Sequence, residues 1–144
     1  MAANREKHFG TYIDRNYRII RLRFLQAFKE CGIDITTEQW VILDNLYHHD
    51  GLSQSELGTM SFKDAPTVSR IVDHLCTKGF AIRKRSESDR RALVVSITEK
   101  GKSSYDKVLP SVRGLRKQGW ENLSEEDYDT FLRIMNQVFR NFDS

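Results

Sequence analysis

The chain has 144 residues, of which 39% are hydrophobic and 30% charged, and its net charge is +3. That length suits one domain, or one core with an appendage, and the composition excludes a disordered chain. No apolar run approaches a membrane span and MAANREKHFG at the start holds no apolar signal core, so the sequence predicts a cytoplasmic protein with no membrane partner, in which the isolated Cys31 and Cys76 are free thiols.

In chain order, residues 8–30 come first. Phe9, Ile13, Tyr17, Ile20, Phe24 and Phe28 recur at steps of three and four, which predicts a helix with one apolar stripe, broadened by Ile19, Leu22 and Leu25 and ended by Gly32. Thr36 with Gln39 and Ser53 with Glu56 each fit a capping box, and Ser124 with Asp127 is a shorter version. Each cap is flanked by a staple pair: Ile35 with Trp40, Leu52 with Leu57, and Leu123 with Tyr128. A helix over about 64–78 has Pro66 in its first turn, where proline is tolerated, and buries Val68, Ile71, Val72 and Leu75. Gly79 then sits where a left-handed residue ends a helix, with Phe80 placed to pack on Leu75.

Residues 81–85 and 91–97 read as two strands joined by the turn residues 86–90. Thr98 caps a helix to about Trp120, with Tyr105, Val108, Val112 and Leu115 on one face and a kink expected at Pro110. The last helix, 125–142, carries the stripe Tyr128, Phe131, Leu132, Met135, Val138, Phe139 and Phe142.

Charge is unevenly spread along this order. Residues 63–102 hold ten Lys/Arg against five Asp/Glu, a net of +5, which leaves −2 for the rest. One basic segment in slightly acidic surroundings suits a face that meets phosphate. On the helix over 64–78 the outward set is Ala65, Thr67, Ser69, Arg70 and His74. A first turn of small and hydroxyl side chains lets a helix approach base edges, and Arg70 can reach a guanine edge or a phosphate. The hairpin adds Arg83, Lys84, Arg85, Arg90 and Arg91. Arginine gains in a narrow minor groove from the enhanced negative potential there. Asp89 is expected to orient an arginine, and Lys63, Arg83 and Lys84 to contact phosphates. The same features also suit an ordinary solvated helix face and a solvated charge run.

The segments SQSEL, TVSRIVDHLCTKGF and ESDRRALVVSITEKG resemble the helix-turn-helix, recognition helix and wing of the multiple-antibiotic-resistance regulators, the MarR family. The most specific part is Asp89-x-Arg91 followed by a strand and T-E-K-G; Pro66 in KDAPT departs from the family's usual recognition-helix start. The resemblance implies an α+β, mostly α fold: an N-terminal dimerisation helix in residues 1–34, a winged helix-turn-helix over 35–98 and C-terminal dimerisation helices over 99–144. It implies a homodimer on a palindromic double-stranded DNA operator, with Thr67, Ser69 and Arg70 in the major groove and Arg91 in the minor groove. The function it implies is transcriptional regulation, in the form of a repressor relieved by a small phenolic or aromatic-acid effector.

Apolar stripes at both ends support dimerisation independently, since Phe9, Tyr12, Phe131 and Phe139 would otherwise form an exposed patch. Tyr12, Arg15, Arg18 and Trp40 are the candidate ligand residues, because an acid needs a guanidinium and an aromatic ring needs a platform. Two alternatives stay open: a cysteine-based redox sensor of the same fold, through Cys31, and a winged-helix protein-interaction module without DNA binding. No phosphate-binding loop, nucleophile elbow or zinc-protease motif is present, so no enzyme, cofactor or metal is expected. Adjacent His48 and His49 point about 100° apart on a helix and cannot share one metal.

Overall fold

The computed structural model describes residues 6–143, so the expectation drawn from the first ten residues falls partly outside it. The order of elements is α1 (Phe9–Glu30), α2 (Thr37–His48), β1 (Leu52–Ser53), α3 (Gln54–Ser61), α4 (Ala65–Thr77), β2 (Ala81–Arg85), β3 (Leu93–Ile97), α5 (Glu99–Gly119) and α6 (Glu125–Phe142). This is the mostly helical winged helix-turn-helix arrangement that the sequence predicts. Two compact units divide after Val112, within α5.

The caps form as their chemistry dictates. Thr36, Ser53 and Ser124 each accept a hydrogen bond from the backbone N–H three residues on, and the side chains of Gln39, Glu56 and Asp127 reciprocate. Each such cap contributes about 1 kcal/mol. At the end of α4, Gly79 has φ +81°, its N–H donates to Cys76 O and the Phe80 N–H donates to Leu75 O at 2.9 Å. That pair of bonds is the Schellman termination expected there. Thr98 caps α5 by accepting from the Gly101 N–H at 3.0 Å, while its hydroxyl donates to Gly79 O at 2.6 Å. The end of one helix is thereby pinned to the start of another. α5 runs through Pro110 as one helical element.

Two features differ from expectation. First, the sheet has three strands in the order β1-β3-β2, because Leu52 and Ser53 pair with Val95 and Val94. Second, β3 begins at Leu93, not at residue 91. Ala92 N donates to Asp89 O and Ser86 N donates to Ala92 O, which keeps Arg91 and Ala92 in the turn.

The core of the first unit is a column of rings between α1, α2 and α5. Trp40 stacks on Tyr105 with centroids 4.6 Å apart, Tyr47 stacks on the same ring at 4.0 Å, and Phe28 packs on Trp40 at 5.7 Å. The polar end of the column is satisfied: the Tyr105 hydroxyl donates to Asp44 at 2.5 Å and Tyr47 to Asp106 at 2.6 Å. Val68, Val72 and Leu75 of α4 and Val95 of β3 are fully buried in the same core, which fixes α4 against the rest of the unit. The second unit contains α6, where Trp120 meets Tyr128 and Phe131 edge-on. None of the stripe on α6 is buried: Phe139 is 64% and Phe142 76% exposed.

Candidate nucleic-acid interface

The helix-turn-helix consists of α3, the turn Phe62–Asp64 and α4. Its turn is unusual: Phe62 has φ +58°, a left-handed conformation that a bulky side chain seldom adopts, and its ring is 93% exposed. Asp64 then caps α4, accepting from the Thr67 N–H at 2.8 Å. The hydrogen bonds from Thr67 hold the Asp64 carboxyl below its ordinary range, and the charge of Arg70 adds to this. The sequence reading does not single out Asp64, although an aspartate followed by proline two residues on is a helix-start signal.

On α4, Ala65 and Arg70 are exposed and Thr67 and Ser69 half-buried. His74 is exposed but lies 3.5 Å from the Gln39 amide, so it stands on the α2 side of the helix. Gln39 itself is buried and accepts from Lys78 Nζ at 2.8 Å, which ties α2 to the end of α4. Lys63 lies beside Glu38. Burial pushes the Glu38 carboxyl up, but its own backbone N–H, the Tyr17 hydroxyl, Arg21 and Lys63 together outweigh this and hold it below the usual carboxylate range.

The basic side chains of the hairpin divide into two groups. Arg83 is half-buried and held by other elements, and the exposed Arg85 is tied to the turn backbone. Arg83 Nη1 pairs with Asp73 at 2.7 Å, its Nε donates to Gln54 at 3.0 Å and its Nη2 to Ser69 O at 3.3 Å. Arg85 Nη1 donates to Arg90 O at 2.7 Å and so braces the turn. By contrast, Arg70, Lys84, Arg90 and Arg91 are exposed, and their side chains make no ion pair or hydrogen bond among the described residues. Asp89 accepts from the Arg91 backbone N–H at 3.0 Å. It therefore holds the arginine through the main chain. Arg83, expected from the sequence to contact phosphate, makes an internal bracket whose partners Gln54 and Asp73 the sequence does not point to.

The candidate ligand residues are not brought together within one chain. Trp40 is buried between Phe28 and Tyr105. Tyr12 and Phe28 are sixteen residues apart on α1, which is about 24 Å of helix. Arg15 lies over the exposed Tyr12 ring at 5.2 Å, and Arg18 pairs with Asp14. The Trp40 indole N–H is buried with no hydrogen-bond partner among the described residues.

Both cysteines are unpaired and half-buried. Burial pushes the Cys76 thiol up, further than Arg83 lowers it, which disfavours the reactive thiolate. Cys31 Sγ lies 3.6 Å from the neutral Ser111 hydroxyl. His48 ends α2 beside Asp44 and Tyr105, and among the described residues no group of three His, Cys, Asp or Glu side chains is placed to hold a metal ion. No described helix is long and apolar enough to cross a membrane.

Comparison with known proteins fits this geometry. The sequence model of the MarR family matches residues 33–92. The organic hydroperoxide resistance transcriptional regulator of Bacillus subtilis (strain 168) is 30% identical over 96 residues, covering 65% of each protein. The chain spans between about half and two thirds of the length of the curated relatives it first matches. The crystal structure of the S. aureus MepR–DNA complex superposes with a TM-score of 0.82 at 21% identity, covering 95% of this chain and 100% of that one. The PcaV regulator of Streptomyces coelicolor, in complex with its natural ligand, gives 0.79 at 20% identity, covering 97% and 98%. The two structures share this fold.

Proposed function

We infer that this chain, whose residues 33–92 match the MarR-family model, is a transcriptional regulator of that family that binds duplex DNA as a homodimer and represses transcription from the bound site. The observation that carries this reading is the division of the basic side chains. Burying or pairing cations is how a fold disposes of charge, and it does so with Arg83, which is half-buried and paired with Asp73. Arg70, Lys84, Arg90 and Arg91 are left exposed on the reader helix and hairpin, which suits release of counterions from phosphate. Thr67 and Ser69 beside Arg70 supply short hydroxyls at the end of α4 that would enter the major groove, and Arg91 at the hairpin tip suits the minor groove.

Dimerisation is supported by the exposed stripes. Phe9, Tyr12, Ile13, Tyr17 and Ile20 on α1 and Tyr128, Phe131, Leu132, Phe139 and Phe142 on α6 are each at least 39% exposed in the single chain. Apolar faces of this extent call for a partner, and a second copy makes the two readers symmetric, matching a palindromic operator. A small aromatic or phenolic acid is the proposed effector, with the exposed Arg15–Tyr12 pair as a candidate contact.

The test is selection of genomic fragments by the purified protein, repeated with Arg70→Ala and Arg91→Ala and with added benzoate-, salicylate- and cinnamate-type acids. Loss of Arg70 should cost about 1–3 kcal/mol and relax one base pair per half-site. Loss of Arg91 should cost most at A·T-rich flanks. Unchanged operator affinity in both variants would refute the reader assignment.

A further inference from the structure

Arg83 lies in the middle of β2, opposite Val95, and its side chain is 27% exposed. Its three contacts come from two other elements: Gln54 at the start of α3, and the Ser69 carbonyl and Asp73 carboxylate on α4. A guanidinium is a planar fork, so filling three of its donor directions fixes the rotation of the strand as well as its distance from the helix. An ammonium would supply a point charge without that angular constraint. The hairpin tip stands roughly 10–15 Å beyond Arg83 at about 3.3 Å per residue. A tilt of about 10° at the base would therefore move the tip arginines by about 2 Å, most of a hydrogen-bond length. The same contact neutralises Asp73, a 60% exposed carboxylate on the reader helix that would otherwise repel phosphate.

We propose that Arg83 is a positioning residue for operator recognition: it holds the wing at a set angle to α4 and does not itself contact DNA. This rests on the reading of the protein as a DNA-binding regulator. Spacing between the major-groove and wing contacts within each half-site is then set by the bracket of Arg83 with Gln54, Ser69 and Asp73.

The experiment measures operator affinity against salt for the full-length protein and for Arg83→Gln, Asp73→Asn, their double variant, Arg83→Lys and Lys84→Gln. All are measured below the melting transition of each variant. Arg83→Gln and Asp73→Asn should each weaken binding about tenfold, the scale of one lost contact per half-site, while leaving the log–log salt slope unchanged. The double variant should be no weaker than either single one, because both remove the same bracket. Arg83→Lys should not restore affinity. Lys84→Gln should lower the slope by about 1.8, since a homodimer loses one phosphate contact of about 0.9 in each half-site. Selection from a randomised duplex should show Arg83→Gln losing its flank preference while keeping the central half-site, a split that general destabilisation would not give. A slope reduced in Arg83→Gln as in Lys84→Gln would make Arg83 a phosphate contact and overturn the proposal. So would unchanged affinity and flank preference. Failure of the wild type to bind any duplex would be a different result, overturning the regulator reading and the proposal with it.

Discussion

Replacing Gly101 with alanine should destabilise the protein, even though alanine is the better helix former. A Cβ at Gly101 would stand 2.2 Å from the Phe80 carbonyl oxygen and 2.7 Å from Ile97 Cγ1. The oxygen cannot retreat freely. It accepts from the Thr98 N–H at 3.0 Å, and the Phe80 N–H is held by Leu75 O. Helix propensity favours alanine by about 1 kcal/mol, whereas forcing an atom into a packed site costs about 1–3 kcal/mol or more. An approach of 2.2 Å to a held backbone oxygen belongs at the upper end of that cost, so the net expectation is a loss of about 2 kcal/mol, or roughly 4–8 °C in melting temperature for a chain of this length. Gly114 lies in the same helix and a Cβ there would meet nothing within 4 Å. Gly114→Ala should therefore gain up to about 1 kcal/mol. Thermal melts of the two variants at equal protein concentration form the assay, since melting of an oligomer depends on concentration. If Gly101→Ala melts with or above Gly114→Ala, the steric argument fails. The same clash explains why T-E-K-G ends on glycine: α5 starts against the backbone that closes α4.

Three further expectations concern other parts of the chain. The Asp64 carboxyl is held below its ordinary value of 3.8, so its stabilising effect is present above that value and is lost as pH falls through the lower folded one; Asp64→Asn should flatten this part of the melting temperature against pH, and an unaltered acid limb would count against the cap. Phe62→Gly removes a left-handed strain of about 1–2 kcal/mol and adds about 0.5–1 kcal/mol of unfolded-chain entropy, so urea unfolding should show it neutral to about 1.5 kcal/mol more stable, and a clear loss would show that the exposed ring packs on something. Phe139→Glu places a carboxylate on the exposed stripe of α6; in a dimer, folding and association should fail together in sedimentation and circular dichroism, whereas a folded monomer with intact operator affinity would contradict the interface.

Local chemistry was legible in the sequence where neighbours in the chain are neighbours in space. The caps at Thr36, Ser53 and Ser124 and the termination at Gly79 depend on atoms within five residues, and all form as read. β1 was not legible, because two residues carry no periodicity and their partners, Val94 and Val95, lie more than forty positions away. The separate role of Arg83 was hidden for a similar reason. In the sequence it is one of several arginines in a basic hairpin, and only folding brings Gln54 and Asp73 to it. Trp40 and Tyr12 looked like two walls of one pocket because helix stripes report a face but not a height along it. Trp40 instead joins the ring column at the far end of α1.

Ser53 belongs to two elements at once. Its backbone pairs with Val94 in the sheet, and its hydroxyl accepts from the Glu56 N–H to start α3. No residue of slack separates sheet from helix, so an insertion at this junction would have to break either the strand pairing or the cap. In amide hydrogen exchange, Val94, Val95 and the first turn of α3 should open as one cooperative unit. The wing therefore has no hinge of its own at this edge. A signal that alters DNA affinity would carry the reader as a rigid piece, and new operator preferences would arise by exchanging side chains on its surface while the spacing of its parts stays the same.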